Sequence, residues 1–228
     1  AGDILAVAQA DGGAAYATAI NSVAYGYSGG LDASLTNSGL LSAVADADFA
    51  YAITIFNFAT GHYGNAYLTN AEDGQIYAVA NGDYTTATGV INQATRYGSA
   101  VTSNAGNIHA TANGNSGGAS FGVSNYSQGY VATFDNSGSI SATSTAAGIA
   151  MATGVENESA LYNASSYNSG DISAIADSGV GLAGAWGVVN NSANISSFTN
   201  EVDGDIDVVA TSQDGYALAV GAYAIGVT

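Results

Sequence analysis

One pattern recurs seven times along this chain, and a repeated pattern limits the fold to stacks of equivalent units. A Gly stands two residues before an Ile or Leu, with Ala or Val two residues after it. The marked residues are Ile4, Leu41, Ile76, Ile108, Ile140, Ile172 and Ile206, separated by 37, 35, 32, 32, 32 and 34 residues. Two sets of Asn keep the same interval. One set, Asn37, Asn70, Asn104, Asn136, Asn168 and Asn200, precedes each new marker. The other, Asn21, Asn57, Asn92, Asn125, Asn157 and Asn190, follows each of the first six markers by 16 to 18 residues. Variation in length falls in the spacers, as it does when insertions are confined to loops.

Around each marker the chain alternates, as in Ile76-x-Ala78-x-Ala80 and Ile172-x-Ala174-x-Ala176. Period 2 is the signature of a strand, here with one large and two small residues on one face. A second strand leads to the following Asn, and Gly89-Val90, Gly122-Val123, Gly154-Val155 and Gly187-Val188 mark a bulge or tight corner within it. A third, more irregular segment ends in Asn-x-Gly or a longer Asn-to-Gly turn. The chain has 31 Gly, no Pro and no Cys. Absence of Pro suits a chain whose backbone N–H groups are nearly all committed to ladders.

These features predict an all-β fold: a parallel β-helix, or β-solenoid, of about seven coils of 32–37 residues. Each coil carries three strands and the last is incomplete. The whole of 1–228 reads as a single repeat domain, with coils starting near 2, 39, 74, 106, 138, 170 and 204. The seven markers are expected to form one buried axial core stack, and each Asn set a ladder bonded along the axis. An antiparallel sandwich does not favour equivalent strand triplets at a fixed interval. An outer-membrane barrel shares the alternation and low charge, but its interior is polar rather than Ile and Ala.

Runs such as Asn136-Ser-Gly-Ser-Ile-Ser-Ala-Thr-Ser and Asn168-Ser-Gly-Asp-Ile-Ser-Ala-Ile-Ala resemble the repeats of secreted bacterial β-solenoid proteins. The types in question are autotransporter passengers and filamentous haemagglutinin. The resemblance covers nearly the whole chain and rests on low-complexity motifs. It implies a secreted, extracellular or cell-surface location and a role in adhesion or scaffolding, and it brings no catalytic residue with it.

Little in the sequence points to chemistry, and the chain is read as no enzyme, with no catalytic or cofactor-binding residue. His62 and His109 stand at unrelated registers. Arg96 is the one cation against 18 acids, for a net charge of −17. Such a chain repels acidic polysaccharides and lacks the basic stripe that nucleic acid requires. Carboxylates gather near two turns, and Asp203, Asp205 and Asp207 are weak candidates for Ca²⁺, which takes hard oxygen ligands. Their spacing matches no calcium loop, so solvated turn acids are the plainer reading. Asn-x-Ser occurs at Asn125, Asn157, Asn163, Asn190 and Asn194 and leaves glycosylation open. No 18-residue apolar run predicts a transmembrane helix.

The start at Ala1-Gly2-Asp3 fits a mature end left by removal of a leader. The chain opens on the first side of a coil and stops at Thr228 after a second side, in the apolar run Ala217 to Thr228, without evident end caps. The expected function is therefore a structural subunit of an extracellular filament or matrix fibre. Its partner is itself: a homopolymer joined head to tail, with lateral bundling also open to it. The alternative is a monomeric surface adhesin or passenger rod holding a host or matrix ligand. An ice-binding surface would need a ladder of Thr-x-Thr, and Thr86-Ala-Thr88 and Thr143-Ser-Thr145 do not share a register.

Overall fold

The computed structural model describes residues 2–26 and 30–226, so Val227 and Thr228 of the apolar run lie outside the described residues. The chain winds into a parallel β-solenoid of about seven turns, without helices among the described residues. First-side strands are Ile4–Gln9, Leu40–Asp46, the openings of Gln75–Ala94 and Asn107–Ser127, then Ser139–Ala146, Asp171–Ser178 and Asp205–Ser212. Second-side strands are Ala14–Tyr25, Phe49–Thr60, the remainders of the two long strands, Ile149–Ser159, Leu182–Ser192 and Tyr216–Gly226. The third side is a six-stranded sheet from Ala33–Asn37 to Ser196–Asn200. Every pairing between described strands is parallel, which excludes the antiparallel barrel and sandwich.

Three strands per coil holds in the first six coils except the third and fourth, and the seventh has two among the described residues. In the third and fourth the first and second sides run on as single strands of 20 and 21 residues. Side chains join the two turns that would have separated them: Asn113 Nδ2 donates to Asn81 Oδ1 and Asn115 Nδ2 to Asp83 Oδ1, both at 2.9 Å. The backbone pairing therefore continues through the bend, with one register shift between Gly82 and Tyr84.

The markers stack in one column: Ile4 pairs with Leu41, then Ile76, Ile108, Ile140, Ile172 and Ile206 in turn. From Leu41 to Ile172 the column is buried; Ile206 is half-buried, and Ile4, at the first coil, is 42% exposed. It packs with Val90, Val123, Val155 and Val188 of the second side and with Leu68 and Phe134 of the third. Beyond it the interior narrows. Alanines of the first side meet alanines of the second, such as Ala43 and Ala45 with Ala50 and Ala52.

A column of glycines makes room for the markers. The second-side register skips Gly89, Gly122, Gly154 and Gly187, where the strand bends. A Cβ on Gly122 would lie 2.4 Å from Ile140 Cγ2 and 2.5 Å from the Gly154 carbonyl oxygen. Each glycine is thus the seat on which the next coil's isoleucine rests. In the second coil Thr54 takes this place, and its hydroxyl donates to the Tyr77 carbonyl at 2.5 Å.

Candidate functional site

Two asparagine ladders run along the axis. The first follows the corner between third and first sides. Asn37 Nδ2 donates to Asn70 Oδ1, and the chain of bonds continues through Asn104, Asn136 and Asn168 to Asn200, at 2.7–2.9 Å. Every amide also donates to the glycine carbonyl of its own turn, as Asn136 does to Gly138. Each member therefore caps one turn and ties it to the next.

The second ladder joins Asn57, Asn92, Asn125, Asn157 and Asn190 at 2.8–3.0 Å. Its amides also bond across the interior to carbonyls of the third side: Asn125 to Ala100 and Thr133, Asn157 to Ala132 and Ser165. Thr102 and Ser166 add hydroxyl donors to Asn125 Oδ1 and Asn190 Oδ1.

Asn21 does not belong to this ladder, and the expectation for it is corrected here. It pairs with Phe56 and points out, while Ser22 stands opposite Asn57. Successive strand residues face opposite ways. In the later coils the Asn lies two residues past an inward Ile or Val, as in Ile55-x-Asn57 and Val155-x-Asn157; in the first coil it lies one past Ile20. The consequence is visible next door. Asn57 Oδ1 is buried and has no hydrogen-bond partner.

A third ladder was hidden inside the Asn-x-Ser triplets. Ser127, Ser159 and Ser192 each follow a ladder Asn by two residues and turn inward at the corner between second and third sides. Ser127 Oγ donates to the Gly98 carbonyl and accepts from Tyr130 N. Ser159 Oγ donates to the Tyr130 carbonyl and accepts from Tyr162 N; Ser192 Oγ donates to the Tyr162 carbonyl and accepts from Asn194 N. At these three triplets the Asn amide is buried and bonded, so Asn125, Asn157 and Asn190 present no free acceptor for a glycan. The steady interval reports packing.

On the same corner the aromatic rings of Tyr63, Tyr97, Tyr130 and Tyr162 lie against one another on the outer surface. Tyr63 and Arg96 hold left-handed backbone, φ 65° and 63°. A groove of about 350 Å³ beside the rings is lined by His62, Arg96, Tyr97, Gln128 and Leu161.

The remaining titratable groups stay apart. His109 stacks on Tyr77 at 5.0 Å on the first-side exterior, and burial lowers its pKa from the usual value. Asp203, Asp205 and Asp207 are exposed. Among the described residues no three of His, Cys, Asp and Glu gather as a metal-ligand set. No helix among them is long and apolar enough to cross a membrane.

The end coils differ from the interior ones. Ile4–Gln9 pairs with Leu40–Asp46 alone and Ala14–Tyr25 with Phe49–Thr60 alone. At the far end Asp205–Ser212 and Tyr216–Gly226 likewise have one neighbour each among the described strands. Three of these four edge strands carry no charged residue; the exception holds Asp205 and Asp207. Charges, Pro and bulges are the usual means of blunting an edge.

With this geometry the chain is defined by class: a parallel β-solenoid held by an isoleucine column and polar ladders. No protein-family model, no curated protein and no solved structure matches it.

Proposed function

We propose that this chain is a structural subunit of an extracellular filament, in which copies stack end on end and continue one another's ladders. The observation that carries this reading is the pair of mostly uncharged edge strands at each end of the described coils, whose inward residues repeat the interior pattern. With one copy set on another, Ile4 rests on Ile206, Ala6 on Val208 and Ala8 on Ala210, as Leu41, Ala43 and Ala45 rest on Ile4, Ala6 and Ala8 within a copy. Unpaired N–H and C=O groups on the first- and second-side edge strands find partners in the same step. Such a head-to-tail contact does not close on itself, and it propagates as a filament. Seven coils at about 4.8 Å advance each subunit by roughly 34 Å. The role is mechanical rather than catalytic. A place outside the cell follows from the repeats' resemblance to secreted β-solenoids.

The test is concentration-dependent assembly of the purified 228-residue chain, by sedimentation and electron microscopy. Unbranched fibres with an axial repeat near the subunit advance are expected. Ile4→Asp adds a charge at a half-open position, so it should leave the melting of the lone subunit nearly unchanged. In the stack that charge would be buried without a partner, and fibres should be lost. A chain that stays monomeric at high concentration overturns the reading, as does an Ile4→Asp variant that assembles normally. A strictly monomeric rod points to the second reading, a surface adhesin, for which the groove lined by Arg96 and Tyr97 offers a concave site with a cation.

A further inference from the structure

The corner tyrosines have a chemistry that none of the three ladders accounts for. The chain holds 15 Tyr, no Cys and no Lys, its single basic residue among Lys and Arg being Arg96. Disulfides and lysine-derived cross-links are therefore closed to it, and phenol coupling is open. Four tyrosines from successive coils meet on the outside of one corner. Ring centroids are 5.9 Å apart for Tyr63 and Tyr97, 6.4 Å for Tyr63 and Tyr130, and 5.4 Å for Tyr130 and Tyr162. All four are between 38% and 59% exposed. The serine ladder pins the backbone on both sides of Tyr130 and Tyr162. These rings are thus held at near-contact distance and open to a reagent in solvent.

We propose that Tyr63, Tyr97, Tyr130 and Tyr162 form an oxidative cross-linking site. There a peroxidase-class oxidant with hydrogen peroxide joins neighbouring coils through dityrosine. Each phenol gives its hydroxyl hydrogen atom to the oxidant and becomes a phenoxyl radical. Two radicals join through the ring carbons beside their oxygens, forming one C–C bond. The hydrogens on those carbons then move to the oxygens and restore both phenols. One peroxide takes up the two hydrogen atoms lost and leaves as two waters. The bond closes a loop of one coil for Tyr63–Tyr97 and Tyr130–Tyr162 and of two for Tyr63–Tyr130, which restricts the unfolded chain in the way a disulfide does. The cross-link lies within one subunit and does not depend on filament formation.

The experiment treats the purified chain, at a concentration where it is monomeric, with a haem peroxidase and limiting peroxide. Dityrosine fluorescence is followed, and cross-linked peptides are mapped by mass spectrometry. Expected are intramolecular links among Tyr63, Tyr97, Tyr130 and Tyr162, a raised melting midpoint, and loss of most of the fluorescence in a variant carrying Tyr63→Phe, Tyr97→Phe, Tyr130→Phe and Tyr162→Phe. The rings remain in that variant, so an unchanged circular-dichroism spectrum shows that it still folds. Tyr16 and Tyr51, stacked at 4.9 Å, supply a second close pair and account for the residual signal. Tyr216 is 83% exposed but has no tyrosine ring against it among the described residues, which makes it the control for exposure alone. Links dominated by Tyr216, or fluorescence unchanged in the fourfold variant, would overturn the assignment.

Discussion

The two asparagine ladders use the same side chain at nearly the same interval, yet they do different work. In the first, each amide reaches a carbonyl two to four residues along its own turn, so the ladder fastens corners. In the second, each reaches carbonyls seven to ten residues ahead and 24 to 26 behind, so it fastens one side of the cross-section to another. The first ladder joins all six members of its set. The second stops at Asn57, whose oxygen finds no donor because Ser22 stands where an Asn would continue the series. A polar ladder inside a solenoid is as sound as the parity of each strand that feeds it. One residue of slip turns a buried donor into a surface side chain.

The largest expected difference comes from cutting each ladder in the middle. Asn125→Ala removes bonds to Asn92, Asn157, Thr102 and two third-side carbonyls and leaves their groups buried. A loss of about 4 kcal/mol is expected, since each orphaned buried group costs roughly 1–3 kcal/mol. Asn136→Ala breaks two axial bonds and one turn bond, for a loss of about 2 kcal/mol. Denaturant unfolding of the two variants side by side decides the matter. Equal losses, or a greater loss for Asn136→Ala, would mean the cross-links to the third side contribute nothing beyond the axial bonds.

A smaller effect should come from mending the broken end. Ser22→Asn places an amide opposite Asn57, where its Nδ2 can donate to the unpartnered Oδ1. A gain of about 1 kcal/mol is expected, the usual net worth of one hydrogen bond in a folded protein. Slower hydrogen exchange of the backbone amides in Ala14–Tyr25 would show that the gain is local to the first coil. No change in either measurement would mean that Asn57 Oδ1 is not the weak point of the second ladder.

Why the solenoid itself was readable from sequence, and some of its parts were not, follows from the same parity. Identical residues at a constant interval fix parallel, in-register stacking, because like must lie over like in every coil. The marker column and the first-corner asparagines needed nothing more than that interval. Asn21 was misplaced because the interval tolerates a residue or so of drift while a strand face does not; counting from Ile20 would have found the slip. The two long strands were unreadable because Asn81-Gly82-Asp83 and Asn113-Gly-Asn115 carry turn residues. What keeps them paired is a contact between coils, Asn113 with Asn81 and Asn115 with Asp83. The corner serines lay in plain sight within Asn-x-Ser, a triplet that also spells a glycosylation site. The tyrosine corner drifted in spacing, 34, 33 and 32 residues between Tyr63, Tyr97, Tyr130 and Tyr162, inside the least regular segment of the repeat.

The smallest expected effect lies on the outer surface of the strand that carries the second ladder. Asn157 points inward, and Glu156 and Glu158 stand on the opposite face, so charge there bears on the same strand without touching the ladder. Burial raises the Glu156 pKa above the usual carboxylate value, and the neighbouring Glu158 raises it further. The folded state therefore holds this proton more tightly than the unfolded chain does. The resulting stability is fully present below the ordinary carboxylate range and is lost as pH rises through the raised value. Above the raised value the ionised Glu156 is thus a small burden on the fold, and there Glu156→Gln should raise the melting midpoint slightly. In acid, where the native side chain is already neutral, the variant and the parent should melt together. Because Asn157 keeps its bonds in both proteins, the gain should add to that of Ser22→Asn in a double variant. A gain that persists undiminished in acid would trace to packing of the amide rather than to removal of the charge.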